Sequence, residues 1–378
     1  MFSIKKFHNV ILKGANAYAP AFRSPELSTH RIKDIAKLAG VGTATVDRVL
    51  NERGGVSQHL ADKVLDAAKR LKLKRVLPTS HRRVLRIDVL LTRPELPLVA
   101  RMKHEFGRLS ERMDRSVIVQ RTILKTDDPH AVAKAIRQSK ADGLIFYPHE
   151  DPQIHNAIAQ AQERGVQIVT IISDAPNTSR LAYAGTDHFE AGRTAGFFMA
   201  KMACDTGPIA ILCHNQKIYG HARRLAGFKD AISRHGKLLN VAKIIEGGDD
   251  SRRSEALLVN AFKERDDFIG IYNVGAANDA VAEALRRSKL KKRLVFIGHE
   301  LTPESRSLLE SGVMTLVIDQ NPEHQSRFAI DVLLHHFGYT DQIWLAKPYV
   351  SNIAFKLHTV ENMTEFTTPQ PSRSTSSD

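Results

Sequence analysis

The stretch Arg31-Ile-Lys-Asp-Ile-Ala-Lys-Leu-Ala-Gly-Val-Gly-Thr-Ala-Thr-Val-Asp-Arg-Val-Leu-Asn51 decides how the N-terminal part of this chain is read. Ile32, Ile35, Ala36 and Ala39 fall at helical spacing and make one apolar stripe. Gly40 ends that helix, where the backbone needs a positive φ, and Val41 plugs the turn. Thr43 to Leu50 predicts a second helix with Val46, Val49 and Leu50 inward and Thr43, Ala44, Asp47 and Arg48 outward. A third helix starts at Val56-Ser57, with Ser57 as N-cap and Leu60, Val64, Leu65, Ala68 and Leu71 as its apolar face. Three such helices can bury a small shared core. Two short helices, a tight turn and a basic, small-residue second helix form the pattern of a helix-turn-helix whose second helix enters the DNA major groove.

Charge is distributed in keeping with that pattern. The 378 residues carry a net charge of +14. From Arg31 to Arg83 there are thirteen Lys or Arg against five Asp or Glu, a net of +8, so more than half the excess sits in about a seventh of the chain. Such a segment neutralises phosphates and binds less well as salt rises. Cys204 and Cys213 are the only cysteines, too few for a disulfide framework or a metal set, and are expected to be reduced, buried thiols. No apolar run reaches membrane-spanning length. Residues 1–30 faintly resemble a secretion signal, but Lys13 and Asn16 break any apolar centre. They are expected to be a flexible tail, and a cytoplasmic, nucleoid-associated location is expected. Residues 361–378 are Ser-, Thr- and Pro-rich and are expected to be a disordered tail.

Beyond a basic linker over 75–85, strand and helix signals alternate. Continuous apolar strands are predicted at 85–91, 143–147, 166–172, 181–184, 209–213, 241–245, 270–273, 294–297 and 314–318, with helices between most of them. Apolar strands between helices mean parallel sheets covered on both faces, and so many strands call for two doubly wound lobes over 86–360. Such lobes bind ligands at the carboxyl ends of their strands.

Residues 31–74 resemble the DNA-binding headpiece of the lac-repressor (LacI/GalR) family: Ile-x-Asp-Ile-Ala-x-x-Ala-Gly-Val, then Thr-Val-x-Arg-Val-Leu-Asn, then Val-Ser and a helix rich in Lys, Ala and Leu. The region from about 85 to 360 is similar to the periplasmic-binding-protein-like core of those regulators and of ribose-type binding proteins. The resemblance implies an α/β core of two parallel-sheet lobes behind an N-terminal all-α helix-turn-helix domain. It also implies three crossings between lobes, placed near Gly185, Val317 and Asp341. The first lobe would then hold 86–186 and 318–341, and the second 187–317 and 342–360.

By position, the resemblance assigns Thr43 and Ala44 to base reading, Arg48 to guanine or phosphate, and Asn51 and Ser57 to the DNA backbone. Asp47 replaces the usual serine or threonine, an acid facing phosphates unless Arg48 or a lysine neutralises it; a salt bridge of Arg48 with Asp47 or Glu52 is the bland alternative. Many relatives place a proline-led hinge helix in the linker and push a leucine into the minor groove. Here Pro78 is shifted later and no leucine wedge is evident, leaving Arg82 and Arg83 as minor-groove or phosphate contacts.

In the core, the resemblance assigns Arg224, Asn278, Gln320 and Asp174 to the ligand pocket, where polar groups hold hydroxyls that both donate and accept. His299-Glu300 stands where many relatives have an aromatic followed by Asp. Tyr147 replaces an Asn, and Pro97-Leu98 lacks the aromatic pair that stacks on a sugar ring. Leu98, Tyr147, His299 and Glu300 complete the expected pocket, and a sugar, polyol or other small polar metabolite fits it. His149, His214, His335 and His336 have no metal-ligand spacing, and Asp187 is expected to cap the helix beginning at His188.

No Gly-rich phosphate loop, nucleophile elbow or metal set appears at a strand end, so no cofactor and no enzymatic activity are expected. Gly247-Gly248-Asp249-Asp250 lacks the Lys-Ser/Thr of a phosphate loop. The expectation is a regulator, in most relatives a repressor, that binds a near-palindromic operator as a homodimer. A small effector would modulate it, and no membrane partner is expected. A transport-type sugar receptor is the alternative, and the headpiece argues against it.

Overall fold

The computed structural model describes residues 29–51, 53, 55–71, 73, 84–216, 218–236, 238–288, 290, 294–340, 349 and 353–363. The chain divides into two units, residues 1–82 and 83–378. The tails expected over 1–30 and 361–378 lie almost wholly outside the described residues. So does the linker, with Pro78, Arg82 and Arg83.

The first unit contains α1 (Thr29–Ala39), α2 (Thr43–Leu50) and α3 (Gln58–Arg70). Ile35, Val46, Val49, Leu50, Ala61, Val64 and Ala68 form its core, with Val41 packed against it from the turn. Gly40 adopts φ 65°, the left-handed conformation that ends α1 without a Cβ penalty. Leu71, expected on the inner face of the third helix, is instead 46 % exposed, because α3 ends one residue earlier and leaves it in a turn. Ala61 and Ala67 are buried in addition to the expected face.

The second unit holds two sheets. The first contains β1 (Leu85–Thr92), β2 (Val117–Leu124), β3 (Gly143–Phe146), β4 (Gln167–Ile171) and β5 (Ala182–Ala184). Their order is β2-β1-β3-β4-β5 and all pairings are parallel. The second contains β6 (Gly207–Cys213), β7 (Leu239–Glu246), β8 (Gly270–Asn273), β9 (Val295–His299), β10 (Leu316–Asp319) and β11 (Lys356–His358). Their order is β11-β10-β9-β8-β6-β7, with only β11 antiparallel. In each sheet the order reverses once, beside β1 and beside β6. These are the switch points at which doubly wound sheets open a crevice.

Helices cover the sheets: α4 (Pro97–Ser110), α5 (Pro129–Gln138), α6 (Pro152–Glu163), α7 (His188–Met202), α8 (Tyr219–His235), α9 (Ser251–Glu264), α10 (Asn278–Arg287), α11 (Pro303–Glu310) and α12 (Pro322–His336). Asp187 caps α7, its Oδ1 accepting the Phe189 and Glu190 amides at 2.7 and 3.0 Å.

Two of the three crossings differ from the expected positions. The first falls between β5 and α7, as placed. The second lies at Gln320–Asn321, after β10, because Leu316–Ile318 pair with β9 and Asp319 with β11, so β10 remains in the second sheet. Asn321 turns the chain in the left-handed region, φ 57°, and its amide donates to Asp319 Oδ1 at 2.8 Å. α12 then packs on α4, β4 and β5. Asp341 lies outside the described residues. Tyr349 and Ile353, assigned to the second lobe, pack into the first lobe's core, and Phe355 is the first described residue back against the second. The Tyr349 hydroxyl, 2.8 Å from His335 Nδ1 of α12, anchors that return.

β2 and β11 escaped the sequence analysis. β2 is an edge strand whose Gln120, Arg121 and Thr122 interrupt any apolar run, and β11 has three residues. Cys213 is buried in β6 as expected, whereas Cys204 is exposed. No described helix is long and apolar enough to cross a membrane.

Candidate functional site

A cleft of about 910 Å³ of empty space, part of it open to solvent, lies at the carboxyl ends of both sheets. β1 contributes Arg93 and the turn into α4, β3 gives Tyr147, Pro148 and His149, and β4 gives Ile172 and Ser173. From the second sheet come His214, Asp249, Gly275, Ala276, His299, Glu300 and Gln320, with His188, His221, Arg224 and Asn278 supplied by α7, α8 and α10. Four of the five described non-glycine residues with positive φ line this cleft: Arg93, Ile172, Asp249 and Glu300. Each immediately follows a strand or closes a strand-to-helix loop, and a β-branched residue at positive φ, as at Ile172, persists only where its surroundings hold it.

Of the eight expected pocket residues, Leu98, Tyr147, Arg224, Asn278, His299, Glu300 and Gln320 come together in the cleft lining. Asp174 does not. Its carboxylate pairs with Arg180, Nη2 to Oδ2 2.5 Å, accepts the Thr170 hydroxyl at 3.0 Å and caps the Ala175 amide at 2.8 Å; its neighbour Ser173 lines the cleft instead. The position after β4 is polar because the turn needs an acceptor.

Several lining groups already have protein partners. Asn278 donates from Nδ2 to the His299 carbonyl at 2.8 Å and accepts from Asn273 at 2.7 Å, so its amide first of all ties β8 to β9. Gly298 makes room for it, since a Cβ there would lie 2.4 Å from Asn278 Oδ1. The Tyr147 hydroxyl donates to the Thr92 carbonyl at 3.0 Å, and burial pushes its pKa up to about 12. His299 Nε2 lies 2.8 Å from the Tyr272 hydroxyl, and burial followed by the nearby Arg224 charge holds its imidazole neutral.

Other groups have polar atoms to spare. Glu300 Oε2, Gln320 Oε1, Arg224 Nε and His149 Nε2 are buried without a hydrogen-bond partner. Burial, and then the Asp319 charge, push the Glu300 carboxyl up to about 7. Its Oε1 accepts from Gln320 Nε2. Arg101 of α4 reaches across to the same corner, bonding Asp319 and forming a bidentate pair with Glu323 at 3.1 and 3.0 Å.

Arg224 is seated by the close approach of α7 and α8. A Cβ on Gly192 would sit 2.0 Å from the Arg224 carbonyl oxygen, and one on Gly227 2.1 Å from that of Phe189. Arg224 Nη1 donates to the Val274 carbonyl at 2.8 Å. Arg93, Asp127, His188, His221 and Asp249 also line the cleft, none of them expected there from the sequence. Their only sequence signal is a place just after a strand or at the start of a helix.

In the first unit, Thr43, Ala44 and Arg48 are exposed on α2, as are Asn51 and Ser57 beyond its end and before α3. Asp47 is neutralised by Arg53, Oδ2 to Nη1 2.8 Å, and accepts from Asn51 at 2.7 Å. Among the described residues no side chain pairs with the Arg48 guanidinium. α2 has Gly42 as N-cap and no side-chain cap, so its first amides face outward beside Thr43 and Ala44.

A reading-head unit followed by a two-lobed, cleft-bearing core is the architecture of ligand-responsive DNA-binding proteins. Residues 126–339 match the model of the periplasmic binding protein domain, and residues 31–74 that of bacterial regulatory proteins of the lacI family. The chain belongs to the periplasmic-binding-protein-like regulators of the lacI family. It is 26 % identical over 330 residues to the ribose operon repressor of Escherichia coli K12, covering 80 % of this chain and 92 % of the repressor. It is also 26 % identical over 182 residues to the ribose import binding protein RbsB of Haemophilus influenzae, covering 48 % of this chain and 61 % of that protein. Among solved structures, a solute-binding protein of Burkholderia graminis in complex with D-arabinose superposes with a TM-score of 0.68 at 19 % identity, over 75 % of this chain and 98 % of its own. That likeness shows the fold.

Proposed function

We propose that this chain is a transcriptional regulator that reads an operator through α2 and takes a small hydroxylated effector in the cleft. The observation that carries the proposal is the pairing, in one chain, of a lacI-family head whose Thr43, Ala44 and Arg48 face outward with a cleft lined by unpartnered polar atoms. Thr43 and Ala44 would meet base edges and Arg48 a guanine or phosphate, with Asn51 and Ser57 setting the register on the backbone. Leu98, Tyr147, Arg224, Asn278, His299, Glu300 and Gln320 would enclose the effector.

A homodimer would place two heads on a near-palindromic site. Effector binding would shift the population between two arrangements of the lobes, because it bridges side chains from both sheets. Similarity to the ribose operon repressor supports repression and a sugar-like effector. Similarity to sugar-binding receptors, by contrast, extends only to the core. The test is capture of sheared genomic DNA by the purified protein at physiological salt, followed by sequencing. Enrichment of one near-palindromic site is expected. Diffuse binding that vanishes with salt would overturn the regulator and leave a ligand receptor.

A further inference from the structure

The loop Gly247-Gly248-Asp249-Asp250, which lacks the chemistry of a phosphate loop, meets the other lobe across the mouth of the cleft. It follows β7, the edge strand of the second sheet farthest from the crossings, and faces Arg93, which follows β1 in the first lobe. Arg93 Nη1 donates to the Gly248 carbonyl at 3.5 Å, and the Asp249 charge acts on the same guanidinium. Both sides are held firmly. The Gly247 and Gly248 amides donate to the Cys213 and His214 carbonyls at 2.8 and 3.0 Å, Asp249 Oδ1 accepts the Ala276 amide at 3.1 Å, and Asp250 caps α9. Opposite, the Arg93 amide donates to the Leu124 carbonyl at 3.0 Å, with Glu95 at 3.1 Å and Asp127 at 3.9 Å beside its side chain. Arg93 and Asp249 both stand at φ 50°. Non-glycine residues in that region cost energy and gather at clamps and switches, and here one stands on each side of the mouth.

At the opposite end of the cleft a second arginine of the first lobe reaches over. Arg101 bonds Asp319, donates to the Leu301 carbonyl at 3.4 Å and lies 3.7 Å from Glu300, all of them in the second lobe. That end carries the crossings after β5 and β10, and Asp319 is buried there, so this contact survives a rotation of the lobes. At the mouth a rotation has its longest lever. From β10 to β7 the second sheet is five strands wide, about 19 Å at the usual strand spacing, so turning by about 10° moves the mouth by about 3 Å and breaks the Arg93 contact. Glu95 and Asp127 still balance the Arg93 charge in its own lobe when that happens, so the contact opens and closes at low cost.

We propose that Arg93 and the 247–250 loop form a latch that holds the cleft shut by protein contacts alone, with Arg101 and Asp319 as the pin about which the lobes turn. The closed arrangement is then populated before any effector binds. Such a latch preorganises the cleft and tightens the binding of an effector that bridges both sheets. It also limits how far that effector can move the lobes. Attraction between partly exposed charges is screened, so the latch weakens as salt rises. It belongs to the core and works whichever effector and operator the regulator takes.

The test is the distance between two spin labels on the full chain without effector, in a Cys204→Ser background because that thiol is exposed. One pair, Lys125→Cys with Arg252→Cys, uses exposed residues just beyond β2 and β7 at the mouth. The other, Asn177→Cys with Glu304→Cys, uses exposed residues beyond β4 and β9 on the crossing side. Labelled chain is diluted into unlabelled chain, so that distances within one chain are read. A short mouth distance is expected to predominate at about 0.05 M salt and to lose ground at about 0.5 M. Arg93→Gln is expected to raise the open-to-closed ratio about 5-fold and to remove most of its salt dependence, with Arg93→Lys in between. Asp249→Asn, which keeps an acceptor for the Ala276 amide but loses the charge, is expected to act in the same direction and serves where Arg93→Gln does not fold. The crossing-side distance is expected to stay fixed throughout. A mouth that is open at low salt, or one that neither variant changes, would overturn the latch, and equal movement of both pairs would overturn the pin. Operator capture reads the heads, so its failure with the latch intact would fail the regulator and spare this assignment.

Discussion

His188 Nε2 lies 2.6 Å from the carbonyl oxygen of Ile172, so the first residue of α7 in one lobe holds the strained residue after β4 in the other. The Tyr183 hydroxyl donates to the same carbonyl at 3.0 Å, and the Ile172 amide donates to Gln325 Oε1 at 3.1 Å. Three partners thus keep a β-branched residue at φ 58°. Donation to a carbonyl places a proton on Nε2, and burial, with the nearby Arg224 charge, keeps the ring neutral. His188→Ala removes one partner and leaves a buried polar group short, so it is expected to cost about 1–3 kcal/mol in denaturant unfolding. His188→Gln, which can still donate, should recover part of that loss. Equal loss in both variants would mean that packing, not the hydrogen bond, holds the turn.

On α2, Asp47 pairs with Arg53 at 2.8 Å, and Arg48 is the residue proposed to meet the operator. Arg48→Ala is expected to reduce affinity for the specific site by about 10-fold or more while leaving unfolding unchanged. Asp47→Asn removes a negative charge from the face presented to phosphates and should tighten binding. Its effect on stability should stay within about 1 kcal/mol, because the pair is exposed. Titration of labelled operator at two salt concentrations separates the two. An Arg48→Ala protein with undiminished operator affinity would remove this residue from recognition.

Arg101 offers a sharper stability test. Asp319 is 2 % exposed, and Arg101 is the cation that faces it. Arg101→Met keeps much of the aliphatic stem but strands the carboxylate, at an expected cost of about 3–5 kcal/mol. The double variant Arg101→Met with Asp319→Asn should regain part of that cost. If the double variant is no more stable than the single one, the charge of Asp319 is not what Arg101 serves.

How much of this was legible in the sequence depended on the kind of signal. The heads of α1 and α2 could be read residue by residue, since Ile35, Val46, Val49 and Leu50 follow helical spacing and all are buried. Buried parallel strands such as β3 and β8 announced themselves as apolar runs. β2 did not, because an edge strand alternates and carries polar residues. The second crossing was misplaced by a few residues because β10 stays paired in the second sheet up to its end, and the third because the return of Tyr349 and Ile353 to the first core is a tertiary choice with no local pattern. In the cleft, position alone identified Arg224, Glu300 and Gln320. It misled at Asp174, where a polar residue serves the turn and Arg180. His221 was invisible because its role follows from a backbone amide seven residues earlier in the chain.

The cluster of imidazoles makes stability depend on acid. Burial holds His188 and His299 well below their ordinary pKa, brings His221 down to about 4 and lowers His149. In the unfolded chain these rings take up protons as pH falls through about 6.5, while in the folded protein they do not. Their contribution is therefore fully present above that pH and is lost as pH falls. Glu300, pushed up to about 7, and Asp331, pushed up to about 6 by burial, act in the opposite sense, binding protons in the folded state first. Four rings, of which His149 is lowered without being held as low as the others, against two carboxyls leave a net uptake on unfolding of at most about two protons near pH 5. The slope from these groups is about 3 kcal/mol per pH unit at most, with stability falling toward acid. Urea unfolding at pH 7.0, 6.0 and 5.0 measures it. His221→Asn, whose Oδ1 can accept the His214 amide without titrating, should flatten the curve by about one proton, or about 1.4 kcal/mol per unit. A curve that is level between pH 7.0 and 5.0, or one unchanged by His221→Asn, would mean that these rings are protonated in the folded protein and that the cleft is more positive than its burial implies.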